Sequence, residues 1–311
     1  MKPRFAILDL GTNTFHLLIA EVSPDLSVNV LFKAEEFVQL GEDGVERIGD
    51  RAFQRGIEQL SKYRKVIEKY KPQRIIGFGT AAIRNASNGD AFLRTVMEVC
   101  PMELRKISGD EEAELIYLGV RQAVNIDAHP VLIMDIGGGS TECIIANHEK
   151  IFFKHSFPLG GSVLKRRFHH HEPITAAEQV NIINHLQNEF LPLIAQLRNF
   201  SVKHLIGASG SFDTLAQMIL QNFYNQPLDP AETATEIPHR DFYRLGDWLI
   251  RSSLEERLKM KGLIWFRAEM MVVATILGGY VIEICNIRKI TRSAFALKEG
   301  VLWKLVNSSP V

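Results

Sequence analysis

Cysteine is scarce in this chain. Its 311 residues include three cysteines, Cys100, Cys143 and Cys285, each within an apolar stretch. A small and odd number of thiols excludes a disulfide-stabilised scaffold and is typical of buried thiols in a reducing compartment. No basic segment followed by an apolar one opens the sequence, so we expect no signal peptide and a cytoplasmic protein.

Long hydrophobic runs and an excess of one charge are also missing. The longest apolar run, residues 270–282, is shorter than the roughly 20 residues that a membrane-spanning helix needs, so we predict a buried core helix and no membrane partner. The formal net charge is +0, which gives no bulk attraction to nucleic acid. With 46% hydrophobic and 23% charged residues, the chain is long enough for two globular domains.

What the sequence does contain is a glycine-rich segment, residues 135–142, between two apolar runs. This pattern predicts a strand, a tight turn and a second strand. Three consecutive glycines at 137–139 let the backbone approach a ligand closely, so their amides can converge on a phosphate. Asp135 and Glu142 flank the turn, and carboxylates beside a phosphate most simply indicate Mg²⁺ between them. At this point a structural hairpin with a glycine-rich turn remains the alternative.

The pattern occurs twice. Residues 9–20 match residues 135–146 position by position, beginning with Asp9 for Asp135, and residues 74–80 resemble residues 204–210. Two matching pairs in the same order indicate a duplicated domain. This arrangement resembles the actin, sugar kinase and heat-shock ATPase superfamily. The resemblance implies an α/β fold of two duplicated ribonuclease-H-like lobes, at 1–124 and 125–311, with the active site in the cleft between the lobes.

Two further segments can meet a phosphate. Residues 207–211 lead into a helix, and the amides at a helix N-terminus favour an anion. Arg84 follows a turn of small residues, from which a guanidinium could bind a phosphate through two hydrogen bonds. A solvated surface arginine is the alternative for Arg84.

A carboxylate near the start of another helix is the candidate general base. Ser108 and Glu111 have the spacing of a capping box. Glu112 shares a helix face with Leu115 and Ile116, which predicts that its side chain points inward. The alternative is that Glu112 only stabilises the first turn of the helix, as acidic residues there commonly do.

Three adjacent histidines, residues 169–171, lie in a basic run at 165–171. Adjacent side chains fan around a helix and do not converge on one ion, so this pattern does not favour zinc. The run is either a solvated face or a secondary contact for an extended anionic substrate.

Together, residues 9–14, 80–88, 107–120, 135–142, 207–211 and 296–300 resemble the exopolyphosphatase and guanosine pentaphosphate phosphohydrolase family. The resemblance implies that Glu112 activates the attacking water, with Asp135 and Glu142 as further catalytic carboxylates. It implies Mg²⁺ held by Asp9, Asp135 and Glu142. The phosphate-binding residues that it implies are Gly11, Thr12, Asn13, Thr14, Arg84, Gly137, Gly138, Gly139, Ser140, Thr141, Gly207, Ser209, Gly210 and Ser211.

The sequence departs from the family pattern at two positions. Glu269 stands where the family usually has Asp, and Lys298 stands where it usually has Arg, which puts peripheral contacts in doubt. The resemblance also makes a homodimer an expectation, and it implies that a helix at about 298–311 packs on the first lobe. The chain ends after the two lobes, so we expect a preference for shorter polyphosphates.

The function expected is a magnesium-dependent exopolyphosphatase that releases terminal orthophosphate by in-line attack of water on the phosphoanhydride. A guanosine pentaphosphate (pppGpp) 5′-phosphohydrolase would use the same loops and stays open. Two alternatives belong to other classes, namely a kinase of the same superfamily and a noncatalytic sensor of guanosine polyphosphates.

Overall fold

The computed structural model of the chain describes residues 2–308 and divides it into two compact units. The first unit holds the residues up to Leu118 together with those from Leu297 onward, and the second holds Gly119–Ala296. The chain thus passes from one unit to the other within a helix, whereas the sequence placed a boundary after residue 124. Within residues 2–308, no helix is long and apolar enough to cross a membrane.

The first unit is a mixed sheet with helices. Its strands are β1 (Arg4–Leu10), β2 (Thr14–Val22), β3 (Val28–Phe37), β4 (Arg74–Gly79) and β5 (Glu103–Lys106). Its helices are α1 (Asp50–Tyr70), α2 (Ala81–Asn85), α3 (Gly89–Val99) and α4 (Gly109–Ala123), which continues into the second unit. The strand order is β3-β2-β1-β4-β5, with β1, β4 and β5 parallel.

The second unit has a larger sheet. Its strands are β6 (Val131–Ile136), β7 (Thr141–Ala146), β8 (Ile151–Phe157), β9 (His204–Ala208), β10 (Ala234–Glu236) and β11 (Lys289–Ser293). Its helices are α5 (Gly161–Phe168), α6 (Ala176–Glu189), α7 (Leu191–Gln196), α8 (Ser209–Phe223), α9 (His239–Arg251), α10 (Leu254–Arg257) and α11 (Met271–Ile284), with a 3₁₀ turn at Trp265–Arg267. The strand order is β10-β11-β9-β6-β7-β8, with β6, β9 and β11 parallel.

The burial pattern explains which strands are central. Every residue of β6 and β7 is buried, as expected for strands covered on both faces, whereas the edge strand β3 alternates between exposed and half-buried positions. Helix α11 is buried through most of its length, which confirms the core helix predicted at 270–282. The last helix, α12 (Leu297–Ser308), belongs to the first unit and packs on β1.

The two units repeat the same hairpin. In the first, the Gly11 amide donates to the Thr14 carbonyl oxygen at 3.0 Å, and in the second the Gly137 amide donates to the Ser140 carbonyl oxygen at 3.0 Å. Both hairpins are followed by a shift of register in the next strand pair, at Ile19/Ala20 and at Ile145/Ala146. The equivalent positions lie 126 residues apart in both cases. The predicted duplication is therefore present at the level of individual hydrogen bonds.

The start of the last helix is set by strand pairing. Ser293 has the chemistry of a helix cap, yet it closes β11, where it pairs with Ala208 of β9. The helix therefore begins at Leu297, close to the start expected near residue 298. Strand pairing outweighs a capping signal here because the pairing satisfies backbone groups that would otherwise be buried.

Candidate active site

In the first unit the glycine turn joins β1 to β2. A Cβ atom on Gly11 would lie 2.9 Å from the Thr14 carbonyl oxygen, so the close turn requires glycine. The carbonyl oxygen of Asn13 accepts hydrogen bonds from the amides of Val38 (2.8 Å) and Gln39 (2.7 Å), in the segment after β3. The side chains of Thr12 and Asn13 are buried. The first turn is therefore held by the chain that follows the β-meander.

In the second unit the equivalent turn is held by a helix. The amide of Gly161, at the start of α5, donates to the Gly137 carbonyl oxygen at 2.8 Å, and the amide of Ser162 donates to the Gly138 carbonyl oxygen at 3.0 Å. With these carbonyls tied to α5, the amides of Gly138 and Gly139 make no hydrogen bond to any residue in the range 2–308. Two such amides in a glycine turn can bind an anion.

Two buried carboxylates flank the second turn. Asp135 on β6 and Glu142 on β7 are cross-strand neighbours, and their exposed fractions are 8% and 2%. One carboxylate oxygen of Glu142, Oε1, accepts hydrogen bonds from Ser140 Oγ (2.7 Å) and Ser156 Oγ (2.6 Å). Glu142 is thus fixed on two hydroxyl groups of the protein itself.

The equivalent carboxylate in the first unit is Asp9, at the end of β1 opposite His16. Burial raises the pKa of Asp9 from 3.8 to about 6. The nearby Lys298 ammonium partly offsets this rise in pKa, whereas Glu299 and Glu35 add to it. The family departure at Lys298 therefore keeps a positive charge close to this aspartate.

The candidate base and the candidate phosphate ligand form a pair. Arg84 Nη1 donates to Glu112 Oε2 at 2.7 Å and to the Ile107 carbonyl oxygen at 3.2 Å. Its Nε and Nη2 make no hydrogen bond to the described part of the chain, residues 2–308. Glu112 is 8% exposed, as predicted for an inward-facing residue. Arg84 therefore fixes the orientation of the Glu112 carboxylate.

The neighbouring Glu111 has a different role. Its amide donates to Ser108 Oγ at 3.1 Å, which gives half of the predicted capping box. Its carboxylate does not return to the cap, because it forms an ion pair with Arg105. The two adjacent glutamates of α4 therefore separate into one buried carboxylate and one at the surface.

Sheet topology explains why these residues lie together within the first unit. Strands β1, β4 and β5 are parallel, so their carboxyl ends meet at one edge of the sheet. The turn at Gly11 follows β1, the segment bearing Arg84 follows β4, and the helix bearing Glu112 follows β5. The Thr80 amide donates to the Leu10 carbonyl oxygen at 3.2 Å and links the first two of these segments.

The second unit uses its sheet edge in the same way. The turn at 137–140 follows β6, and helix α8 follows the neighbouring parallel strand β9. Ser211 Oγ donates to the Ile136 carbonyl oxygen at 2.8 Å. Ser209 begins α8 with a positive φ of 66°. The predicted phosphate turn and the predicted helix N-terminus are therefore in direct contact.

Sequence reasoning missed one buried cation at this edge. A Cβ atom on Gly210 would lie 2.2 Å from Nη2 of Arg267, so the guanidinium lies directly on the first turn of α8. Arg267 Nη1 also donates to Thr214 Oγ1 at 3.0 Å. The sequence did contain a signal for Arg267, because this residue lies two positions before Glu269, one of the two departures from the family pattern. Glu269 itself forms a partly exposed ion pair with Lys165 at 2.7 Å.

Two of the predicted phosphate ligands have packing roles. Gly207 lies inside β9, and a Cβ atom there would be 2.0 Å from the ring of Phe212. Thr141 is fully buried, and its hydroxyl donates to the Leu159 carbonyl oxygen at 2.7 Å. These residues shape the edge without facing it.

The three histidines follow the end of α5, so the prediction that they fan around a helix was wrong. His169 is buried, with Nε2 3.4 Å from Glu172 Oε1. The amides of His170 and His171 both donate to Glu178 Oε1, at 2.8 and 3.2 Å, and His171 Nδ1 lies 2.9 Å from the same oxygen. Burial lowers the pKa of His169, which favours its neutral form.

The donor set was tested for Mg²⁺. Within residues 2–308, no three His, Cys, Asp or Glu side chains are grouped so as to hold a metal ion. Mg²⁺ at a phosphate usually takes one or two carboxylates and completes its shell with water and phosphate oxygens. Asp9 and Asp135 each lie near the end of a strand beside a glycine turn, whereas Glu142 already accepts hydrogen bonds from two hydroxyl groups. The residues therefore fit a cation that arrives with its phosphate rather than a cage built by the protein alone.

Comparison with known proteins gives consistent matches. The model of the Ppx/GppA phosphatase family matches residues 18–309. A putative exopolyphosphatase of Haemophilus influenzae is 29% identical and covers 96% of this chain and 90% of the relative. A guanosine-5'-triphosphate,3'-diphosphate pyrophosphatase of Photobacterium profundum is 28% identical over 99% of this chain. The chain spans 60% of the length of that relative.

Solved structures show the same fold. The crystal structure of an exopolyphosphatase from Cytophaga hutchinsonii is similar with a TM-score of 0.95 and 36% identity, covering 99% of both chains. A Ppx/GppA family member from Aquifex aeolicus has a TM-score of 0.82 at 24% identity, also covering 99% of both chains. The two-sheet α/β fold of this chain is therefore the fold of these exopolyphosphatase and Ppx/GppA structures.

Proposed function

Because the chain belongs to the Ppx/GppA phosphatase family, we propose that it hydrolyses terminal phosphoanhydride bonds and that inorganic polyphosphate is its substrate. The observation that carries this proposal is the buried Glu112, held by Arg84 at the sheet edge where the first glycine turn lies. The similar proteins from Haemophilus and Cytophaga are named as exopolyphosphatases, one of them putatively, which supports the choice of substrate.

In this proposal, backbone amides and guanidinium groups bind the phosphate. The amides of Gly138 and Gly139 and the N-terminus of α8 offer donors to anionic oxygens. Arg267 places a positive charge on that helix N-terminus. Such preorganised donors stabilise the charge that spreads over the phosphoryl oxygens in the transition state.

Glu112 is the general base of the proposed reaction. It accepts a proton from a water molecule, whose oxygen attacks the terminal phosphorus in line with the bridging oxygen. The bond from phosphorus to the bridging oxygen breaks, orthophosphate leaves, and the shortened chain keeps the bridging oxygen. Arg84 orients the base through Nη1, and its remaining nitrogens can neutralise the transferred phosphoryl group.

Magnesium is part of the proposal. Asp9 or Asp135 would hold the ion, which when bound would supply positive charge that neutralises the phosphate. Glu142 then contributes through the hydroxyl groups that it holds, Ser140 and Ser156.

A second candidate substrate is guanosine pentaphosphate. It presents the same terminal phosphoanhydride, and the Photobacterium relative is named for the hydrolysis of a guanosine polyphosphate. The reaction at the terminal phosphorus would be unchanged, since both substrates leave the base and the phosphate donors in the same roles.

The test is phosphate release from polyphosphate, guanosine pentaphosphate and ATP by wild type and by Glu112→Gln, with and without Mg²⁺. The substitution keeps the side-chain volume but removes the base, so it should lower kcat by about a thousandfold. Asp110→Asn is the matched control, because Asp110 is an exposed acid in the same helical turn, and it should hydrolyse at nearly the wild-type rate.

The outcomes separate the alternatives. Wild-type turnover by Glu112→Gln would refute the assignment of the base. Faster turnover of guanosine pentaphosphate than of polyphosphate would identify guanosine pentaphosphate as the substrate. Phosphate transfer only in the presence of a small acceptor would indicate a kinase, and tight binding without turnover would indicate a sensor.

A further inference from the structure

Glu142 takes part in a chain of three side chains behind the second glycine turn. Its Oε1 atom accepts one hydrogen bond from Ser140 in the turn and one from Ser156 on β8. Ser156 is its direct cross-strand neighbour. The carboxylate is 2% exposed, so water contributes little to fixing its orientation. The two serine hydroxyls are therefore important for its position.

The direction of these hydrogen bonds determines what Ser140 can offer to a ligand. Because its hydroxyl proton points to Glu142, its lone pairs point elsewhere. A hydroxyl in this state can accept a hydrogen bond from water or bind a cation, and it does not donate to a phosphate oxygen. The phosphate is then left to the backbone amides of the turn.

The surrounding backbone is held independently of these side chains. Thr141, between Ser140 and Glu142, is fixed to the Leu159 carbonyl oxygen at 2.7 Å, and β7 is fully paired with β6 and β8. Loss of the Ser156 hydroxyl should therefore change the orientation of Glu142 more than the path of the chain.

The first unit has the same three positions with different chemistry. Thr14 Oγ1 lies 3.0 Å from His16 Nε2, and His16 Nε2 lies 4.0 Å from Glu35 Oε1. His16 and Glu35 are cross-strand neighbours, as Glu142 and Ser156 are. In both units, then, one residue contacts the hydroxyl of the turn, and its cross-strand neighbour on the next strand contacts that residue: His16 with Glu35, and Glu142 with Ser156. This repetition favours an orienting role over an incidental contact.

We propose that Ser156 is a positioning residue for the reaction. It holds Glu142 so that the Ser140 hydroxyl keeps donating its hydrogen bond to the carboxylate and presents its lone pairs at the phosphate turn. This inference rests on the proposed function, because its effect is read as hydrolysis.

The experiment is a double-mutant cycle with Ser156→Ala, Ser140→Ala and the double variant, measured as phosphate release on the substrate that wild type prefers. Each single variant should lower kcat by about tenfold, because a hydrogen bond to a buried charged group is lost. The KM should stay within about twofold, since the amides bind the phosphate. The double variant should be no slower than Ser140→Ala, because Ser156 acts only through Ser140.

Two further variants serve as controls. Ser156→Thr keeps the hydroxyl and should restore most of the lost kcat. Ser201→Ala removes an exposed hydroxyl before β9 and should match wild type. Binding of tripolyphosphate, followed by calorimetry, should be nearly the same for wild type and Ser156→Ala.

The failures are distinguishable. If wild type releases no phosphate from any substrate, the proposed function falls, and this inference falls with it. If wild type is active and the effects of Ser156→Ala and Ser140→Ala multiply in the double variant, Ser156 has a separate structural role and the positioning role is refuted. Wild-type kcat in Ser156→Ala would refute it as well.

Discussion

The two glycine turns share one backbone design but depend on different neighbours. Both close with the same 3.0 Å hydrogen bond. The first turn gives its carbonyl oxygens to the segment after β3, whereas the second gives them to the N-terminus of α5. Duplication therefore preserved the backbone geometry of the turn, while the supporting contacts diverged with the rest of each unit.

The largest expected effect comes from the support of the second turn. A Cβ atom on Gly160 would lie 2.1 Å from the Gly138 carbonyl oxygen, a contact with backbone that no side-chain rotation can relieve. Gly160→Ala should therefore displace the turn and lower kcat by about a hundredfold, as expected when a catalytic group moves by about 1 Å.

The control for this substitution is the next residue. A Cβ atom on Gly161 would lie 3.3 Å from the nearest atom, the Cβ of Met270, so a shift of a few tenths of an ångström would accommodate it. Gly161→Ala should therefore keep activity within a few-fold of wild type. Equal losses in both variants would show that the start of α5 as a whole, rather than the contact with Gly138, supports the turn.

The carboxylate of the first turn should produce a pH effect on stability. Because burial raises the pKa of Asp9 from 3.8 to about 6, the folded protein binds its proton more tightly than the unfolded chain. The free energy of unfolding should then fall as pH rises from about 4 to about 6. Asp9→Asn should remove this fall and be more stable than wild type at pH 7 by about 3 kcal/mol.

Denaturant unfolding of both proteins at pH 4 and pH 7 measures this difference. The exposed Asp247→Asn serves as the control and should follow wild type at both values of pH. A pH-independent difference between Asp9→Asn and wild type would mean that Asp9 acts through packing rather than through its proton.

In the second unit, the titration of His204 should change the free energy of unfolding in the opposite direction and by a smaller amount. Burial, helped by the charge of Lys289, lowers the pKa of His204 from 6.5 to about 4, although Asp127 partly offsets it. The unfolded chain therefore binds a proton that the folded protein does not bind in this range of pH. The free energy of unfolding should then fall as pH falls from 6.5 to 4. His204 is only half-buried, so we expect about 1 to 2 kcal/mol.

His204→Gln can still donate to or accept from Thr291, whose hydroxyl lies 2.8 Å from the ring nitrogen. The variant should lose less stability than wild type between pH 7 and pH 4. His129→Gln, at an exposed position, is the control. Identical pH dependence in wild type and His204→Gln would refute the role of this histidine.

Much of the fold could be predicted from the sequence because its signals are local. The paired motifs at Asp9 and Asp135 predicted two hairpins with glycine turns, and both are present. Strand pairing between distant segments could not be read in this way. Ser293 has the chemistry of a cap, but its pairing with Ala208, far away in sequence, places it in a strand.

The candidate site was predicted less completely. The inward orientation of Glu112 followed from helical periodicity, and its 8% exposure agrees. Its partnership with Arg84 did not follow, since the two are 28 positions apart and meet only because β4 and β5 are parallel. The position of Arg267 on Gly210 did not follow either, because no local pattern connects two residues 57 positions apart. The assignment of catalytic and metal-binding roles to these residues stays a prediction.

By itself, the sequence determined the duplication and the two glycine turns, because steric limits on the backbone act over a few residues. Only the tertiary structure decided that Arg84 meets Glu112, that Ser156 holds Glu142 and that Arg267 covers the start of α8. Those contacts join segments whose separation along the chain carries no local signal, and packing of the sheets and helices alone brings them within hydrogen-bond distance.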